Sequence, residues 1–276
     1  MAFRDSGSAN HPDHAGEAIP SGTMLLLRSL ALFIVWLFYP CMTTAAEGVV
    51  LLHGLCRTKA SMVKLERALT AHGYTVENVG YDSRRPSIEM LSEQAIGTAL
   101  ASDRLRDCSR IHFVTHSLGG LMVRSYLKRH DVPRMGRVVM LAPPNQGSEV
   151  TDKIGGWLLY RKINGPAGSE LGTAEASAPQ QLGPIDFECG VIAGDWSNNW
   201  INSLMIPGPD DGKVSIERSK VQGMKAHKVV HTTHTFIMQN REVIENTVRF
   251  LREGTFVDDV ALTTSASSRP GRDGSR

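Results

Sequence analysis

Short apolar runs, each followed by a segment with helical spacing, recur along this chain and constrain it more than any other feature. Val49-Val50-Leu51-Leu52 is apolar without alternation, as a strand covered on both faces requires. Ser61 to His72 follows, with Met62, Leu65 and Leu69 at helical spacing and Gly73 as a stop. The same alternation continues downstream. Tyr74 to Tyr81 reads as a strand, and Ser87 to Leu105 as a helix carrying Ile88, Leu91, Ala95 and Leu100. Ile111 to Val114 reads as a strand, Leu118 to His130 as a helix, and Arg137 to Leu141 as a strand. Cys189 to Ala193 and Lys228 to His231 are later strands, and Arg241 to Leu251 is a last helix. Between them, Pro143 to Pro184 is rich in Gly, Pro, Ala and Ser and reads as loops with short helices. Strands alternating with helices predict an α/β class, with a central, mostly parallel sheet covered by helices on both faces.

The ends of the chain read differently. Residues 1–23 hold almost no large apolar side chain and predict a disordered leader. Residues 24–46 carry Arg28, an apolar stretch through Tyr39, and the small residues Thr44-Ala45-Ala46. That order matches a signal peptide and predicts export to the periplasm or beyond. The alternative is an uncleaved membrane anchor, although the run after Arg28 is shorter than the about 20 residues a span needs. One domain is expected over 47–256, with a disordered Ser- and Arg-rich tail over 257–276.

The net charge is +2, and Lys and Arg are scattered rather than blocked, which argues against nucleic-acid binding. The four cysteines contain no C-x-x-C pair, so neither a zinc ribbon nor a dithiol redox motif is expected. With Cys41 in the signal or anchor segment, Cys56, Cys108 and Cys189 allow at most one bridge within the domain.

Between the strand ending at Val114 and the next helix lies Thr115-His116-Ser117-Leu118-Gly119-Gly120. A serine on a sharp strand-to-helix turn between small residues is the layout of the G-x-S-x-G nucleophile elbow, here with Thr115 in place of the first glycine. A serine that merely caps a helix needs no following Gly-Gly pair. Acyl transfer also needs N–H donors for the developing oxyanion. Leu118, after the serine, is one candidate. Leu55 is the other, because the strand at Leu52 ends in His53-Gly54.

The hydroxyl needs an imidazole base, and the base needs an orienting carboxylate. Downstream histidines are His130, His227, His231 and His234. His130 ends the helix that Ser117 opens, so it lies far from the turn. His231 and His234 fall between the last strand and last helix, and His234 is favoured by its place in that loop. The acid is expected after the strand at 190–193, where Asp195, Asp210 and Asp211 are candidates and Glu170 and Glu188 are weaker. Asp211, before Gly212, is favoured, with Asp210 its near rival.

Leu51-Leu52-His53-Gly54, Thr115 to Gly120, Ala142 to Ser148, Asp211-Gly212-Lys213-Val214 and the His234 loop together resemble bacterial lipases and esterases of the α/β-hydrolase superfamily. The resemblance runs from about Val49 to Phe256. It implies a minimal α/β-hydrolase fold, a Ser117–Asp211–His234 triad and oxyanion donors at Leu55 and Leu118. It implies cleavage of carboxylic esters, lipid or acyl, through an acyl-enzyme, with no cofactor or metal, and association with a membrane surface. An acyltransferase using the same triad, and a non-catalytic, membrane-associated binding protein, are the alternative functions. The span from Thr151 to Pro184 is short for a large lid.

Overall fold

The computed structural model describes residues 45–257. The expected leader, the expected signal or anchor except Ala45 and Ala46, and the expected tail except Val257 lie outside those residues, as does Cys41. Six strands form one sheet: β1 (Glu47–Leu52), β2 (Thr75–Val79), β3 (Arg110–His116), β4 (Met135–Leu141), β5 (Cys189–Gly194) and β6 (Ala226–Val230). They lie in the order β2-β1-β3-β4-β5-β6, and every neighbouring pair is parallel.

Parallel neighbours require crossovers, and helices supply most of them. The longer ones are α1 (Val63–Ala71), α2 (Ile88–Leu100), α3 (Leu118–Leu127) and, at the end, α9 (Arg241–Glu253). Between β4 and β5 lie α4 (Glu149–Ile154), α5 (Leu158–Ser169) and α6 (Ala178–Leu182). Between β5 and β6 lie the single turns α7 (Trp200–Ser203) and α8 (Ile216–Ser219).

Alternate side chains of β1 feed two separate cores. Val50 and Leu52 pack with α2 and α3, whereas Val49 and Leu51 pack with α1 and α9. All four are fully buried, which is why the run shows no polar alternation. Burying each such side chain stabilises the fold by about 1.5–3 kcal/mol. Helix α9 starts at Asn240, whose Oδ1 accepts the N–H groups of Glu242 and Val243, and ends at Gly254 in the left-handed region.

The structure refines several expected boundaries. The helix expected at Ser61–His72 is a tight turn at Lys59–Met62 followed by α1. That expected at Ser87–Leu105 ends at Leu100, and Asp103–Leu105 forms its own turn under the N-capping Ser102. Helix α3 ends at Leu127, and His130 lies beyond it, against Glu93. The Gly- and Pro-rich stretch carries short helices as expected, and α5 is two of them in succession, interrupted at Gly165, which lies at φ 66° and ψ −167°. Cys56, Cys108 and Cys189 are all free thiols.

One topological point positions everything that follows. The chain leaves β1 for β2 on one side, then returns to place β3 on the other. In open α/β sheets the crevice beyond the carboxyl ends of two such strands is the usual ligand site. His53-Gly54-Leu55 leaves β1 there, and Ser117 leaves β3 beside it.

Candidate active site

Ser117 links β3 to α3 at φ 53° and ψ −118°, a conformation that costs a side-chain-bearing residue on the order of 1–3 kcal/mol. The surroundings hold it there. Its N–H donates to Leu141 O on β4 at 2.9 Å, and its carbonyl accepts Gly120 N–H at 3.0 Å. The glycines after it are there for space. A Cβ on Gly119 would lie 2.9 Å from Leu52 O, and one on Gly120 would lie 3.1 Å from Pro143 Cβ. The Cβ position of Gly119 also lies only 3.2 Å from Thr115 Cβ. Thr115 therefore fits in place of the expected glycine because position 119 carries no side chain of its own.

His234 and Asp211 arrive from the loops after β6 and β5. Ser117 Oγ lies 3.0 Å from His234 Nε2, and His234 Nδ1 lies 2.8 Å from Asp211 Oδ2. A carboxylate accepts only, so Nδ1 carries the proton and Nε2 is free to receive one from the serine. Asp211 is pinned on its other side, where Oδ1 accepts the N–H groups of Lys213 at 3.0 Å and Val214 at 2.9 Å. The loops are also joined through the backbone, His234 N–H donating to Asp211 O at 2.9 Å. Gly194, at the end of β5, permits that approach, since a Cβ there would lie 2.3 Å from Thr232 O and 3.0 Å from Asp211 Cβ. Ser117 is 7% exposed, His234 4% and Asp211 2%. A carboxylate this buried needs partners, and it has three.

The rival residues are elsewhere engaged. Asp210 Oδ1 accepts Ser203 Oγ–H and Gly212 N–H, which shapes the turn ahead of Asp211. His231 pairs with Asp195 at 2.9 Å on the surface, its side chain 76% exposed. His227 Nε2 lies 2.9 Å from Ser219 Oγ. Glu188 pairs with Arg137 and Lys225, and Glu170 accepts Ile88 N–H.

Leu118 is the first residue of α3, where backbone N–H groups have no intrahelical acceptor. Leu55 lies one residue past Gly54, whose Cβ position is 3.1 Å from Ser117 Cβ and 2.6 Å from His116 Nδ1. Only glycine lets that loop approach the serine so closely. The loop is clamped from behind by His53, whose Nδ1–H donates to Gly54 O at 3.0 Å and whose Nε2 accepts Tyr81 N–H at 3.4 Å. The His53 and Tyr81 rings stack at 3.9 Å, and the Tyr81 hydroxyl donates to His53 O. Burial lowers the His53 pKa, consistent with this neutral tautomer.

Sequence reasoning missed His116. It is buried, and its Nε2–H donates to the backbone carbonyl of His234 at 3.0 Å. Burial first, and the neighbouring His234 second, hold its pKa well below the usual histidine value. It is thus a neutral donor fixing the backbone that carries the His234 imidazole. No pattern could have announced it, because its acceptor is a main-chain oxygen.

These groups open on a cavity of about 180 Å³. Leu55, Val150, Ile154, Leu171 and Val214 give it an apolar wall, and Tyr160, Asn164 and Asn202 add polar groups from α5 and α7. Among the described residues no group of His, Cys, Asp and Glu side chains could hold a metal ion.

The sequence matches the family described as palmitoyl protein thioesterase over residues 48–181. Comparison with curated proteins gives no match. Among solved structures, a lipase of Bacillus licheniformis in its mature form aligns with a TM-score of 0.58 at 16% identity, covering 77% of this chain and 94% of that one. Phospholipase PlaB of Legionella pneumophila aligns at 0.56 and 17% identity, over 76% of this chain and 62% of that one. A thermophilic esterase of Thermogutta terrifontis aligns at 0.51 and 13% identity, over 76% and 91%. This chain has the α/β-hydrolase fold, in a form similar to that of bacterial lipases and esterases.

Proposed function

We propose that the chain is a serine hydrolase cleaving carboxylic esters through an acyl-enzyme. The observation that carries this reading is the unbroken hydrogen-bonded path from Asp211 through His234 to Ser117 Oγ, at a strained turn facing a cavity. His234 Nε2 takes the serine proton as Oγ attacks the ester carbonyl. The negative charge that develops on the carbonyl oxygen is met by the N–H groups of Leu55 and Leu118. His234 then gives its proton to the departing alcohol. Water, deprotonated by the same imidazole, attacks the acyl group and frees Ser117. Asp211 holds the tautomer and stabilises the imidazolium.

Ser117→Ala is expected to abolish ester turnover and labelling by a fluorophosphonate probe with melting behaviour retained. Labelling of that variant at the wild-type level would refute the assignment.

Thioesters are a second substrate reading, favoured by the family match. The matched residues 48–181 include the Leu55 loop and Ser117 and stop short of Asp211 and His234. The cavity is small, about 180 Å³, and partly open, so in this reading a long acyl chain runs outward from it.

Contact with a lipid surface would receive such a chain. Trp157 and Leu158 at the start of α5, and Trp200, Ile201 and Leu204 at α7, are exposed by 57–85%. Their elements are those that send Tyr160, Asn164 and Asn202 into the cavity. Co-sedimentation with phosphatidylcholine vesicles tests this: binding is expected, and Trp157→Ser with Trp200→Ser should weaken it severalfold. Equal sedimentation of wild type and variant would contradict it.

A further inference from the structure

The residues lining the cavity include two cations, Arg57 and Lys213, and no carboxylate. Arg57 lies two residues past Leu55, and Lys213 two residues past Asp211, so the cations arrive from the two loops that frame the serine. The backbone of Lys213 is fixed at both ends. Its N–H donates to Asp211 Oδ1 at 3.0 Å, and its carbonyl accepts Ser148 Oγ–H at 2.9 Å. Arg57 is fixed through its N–H to Gly54 O at 3.2 Å.

Among the described residues, neither charged head makes an ion pair or a hydrogen bond. Elsewhere in the molecule Arg84, Arg129, Arg137, Arg218 and Lys225 each face a carboxylate. Asp211, the carboxylate closest in sequence to Lys213, is already engaged by His234 and two backbone N–H groups. Both line the cavity, Lys213 as an exposed residue and Arg57 as a half-buried one. Two like charges lining one small cavity repel, and an anion seated between them relieves this repulsion.

Resting on the reading of Ser117 as nucleophile, we propose that Arg57 and Lys213 form an oxyanion subsite. It selects acyl esters whose leaving group carries a phosphate or carboxylate a few bonds from the scissile oxygen. The apolar wall of Val150, Ile154, Leu171 and Val214 receives the acyl chain, and the two cations receive the charged end. Arg57 offers a planar fork suited to two oxygens, and Lys213 a point charge.

Three substrates sharing a hexanoyl chain separate the possibilities: hexanoyl glycerol, hexanoyl glycerol 3-phosphate and hexanoyl glycolate. They are assayed with the full chain, below the concentration at which they aggregate, so attraction to a lipid surface does not enter. The readout is the ratio of kcat/KM for each anionic ester to that for the neutral one. Wild type is expected to favour at least one anionic ester by about tenfold or more. The preferred anion identifies the source as phosphate or carboxylate. Arg57→Gln and Lys213→Gln should each lower the ratio, and the double variant should bring it near one. Arg57→Lys and Lys213→Arg should retain most of it, with fluorophosphonate labelling verifying an intact site in every variant. A ratio near one in wild type, or one undiminished in the double variant, overturns the proposal while leaving the hydrolase reading standing. Failure to turn over any ester, with no labelling of wild type, sinks both.

Discussion

Two histidine–aspartate pairs stand three residues apart in this molecule. His231 meets Asp195 at 2.9 Å, and His234 meets Asp211 at 2.8 Å. By distance alone they are equivalent. They differ in what surrounds them. The His231 side chain is 76% exposed, and that of His234 5%. The second nitrogen of His234 reaches a serine on another strand, and Asp211 is held by two backbone N–H groups. An ion pair in water contributes little, about 0–1 kcal/mol. The same pair removed from water, with its remaining valences fixed, can hold a tautomer. The scaffold around a pair, rather than the pair itself, decides whether it is suited to relay a proton.

That contrast can be broken from either side. His234→Ala should lower kcat by about 10⁶-fold, as loss of the base does in other triads, whereas His231→Ala should change kcat/KM less than twofold. Steady-state kinetics on one ester settles both. Asp211→Asn should cost on the order of 10⁴ in kcat, and Asp195→Asn almost nothing. If Asp210→Asn proved as damaging as Asp211→Asn, the turn bonds of Asp210 to Ser203 and Gly212 would have to be doing more than shaping a loop. A smaller effect is expected at His116. Removing its Nε2–H leaves the His234 carbonyl buried without its donor, a loss of about 1–3 kcal/mol. His116→Ala should lower the melting temperature and reduce kcat about tenfold with KM little changed. His116→Gln, which keeps a donor, should recover part of the kcat. Recovery of stability without recovery of kcat would make His116 structural only.

Much of this arrangement is legible in the chain. Strands buried on both faces announce themselves as unbroken apolar runs, and the residues that follow them mark the sheet's carboxyl edge. That logic puts Ser117, Leu55 and the His234 loop at that edge, whereas the choice of the Asp211 loop leans also on the resemblance to lipases and esterases. The order of the sheet was not legible, because register depends on which runs pair, and Val50 and Phe113 carry no label for each other. The acid remained open between neighbours: Asp210 and Asp211 differ only in which way the turn throws the side chain. His116 was invisible for a different reason, since its partner is a backbone oxygen 118 residues away. Nothing in the chain marks Arg57 and Lys213 as neighbours; the fold sets them around one cavity. Gly165 and Pro166 signal a break, and the chain does break there, Gly165 leaving helical geometry at φ 66° and ψ −167° between two short helices.

The central claim is that Ser117 carries the acyl group. The most direct test is to mix the protein with p-nitrophenyl butyrate, quench in acid within the first turnover, and map the modified peptide by mass spectrometry. The account predicts a butyryl group on Ser117, and a burst of p-nitrophenol whenever deacylation is the slower step. Steady hydrolysis with the acyl group on another residue, or with Ser117→Ala as active as wild type, would contradict it.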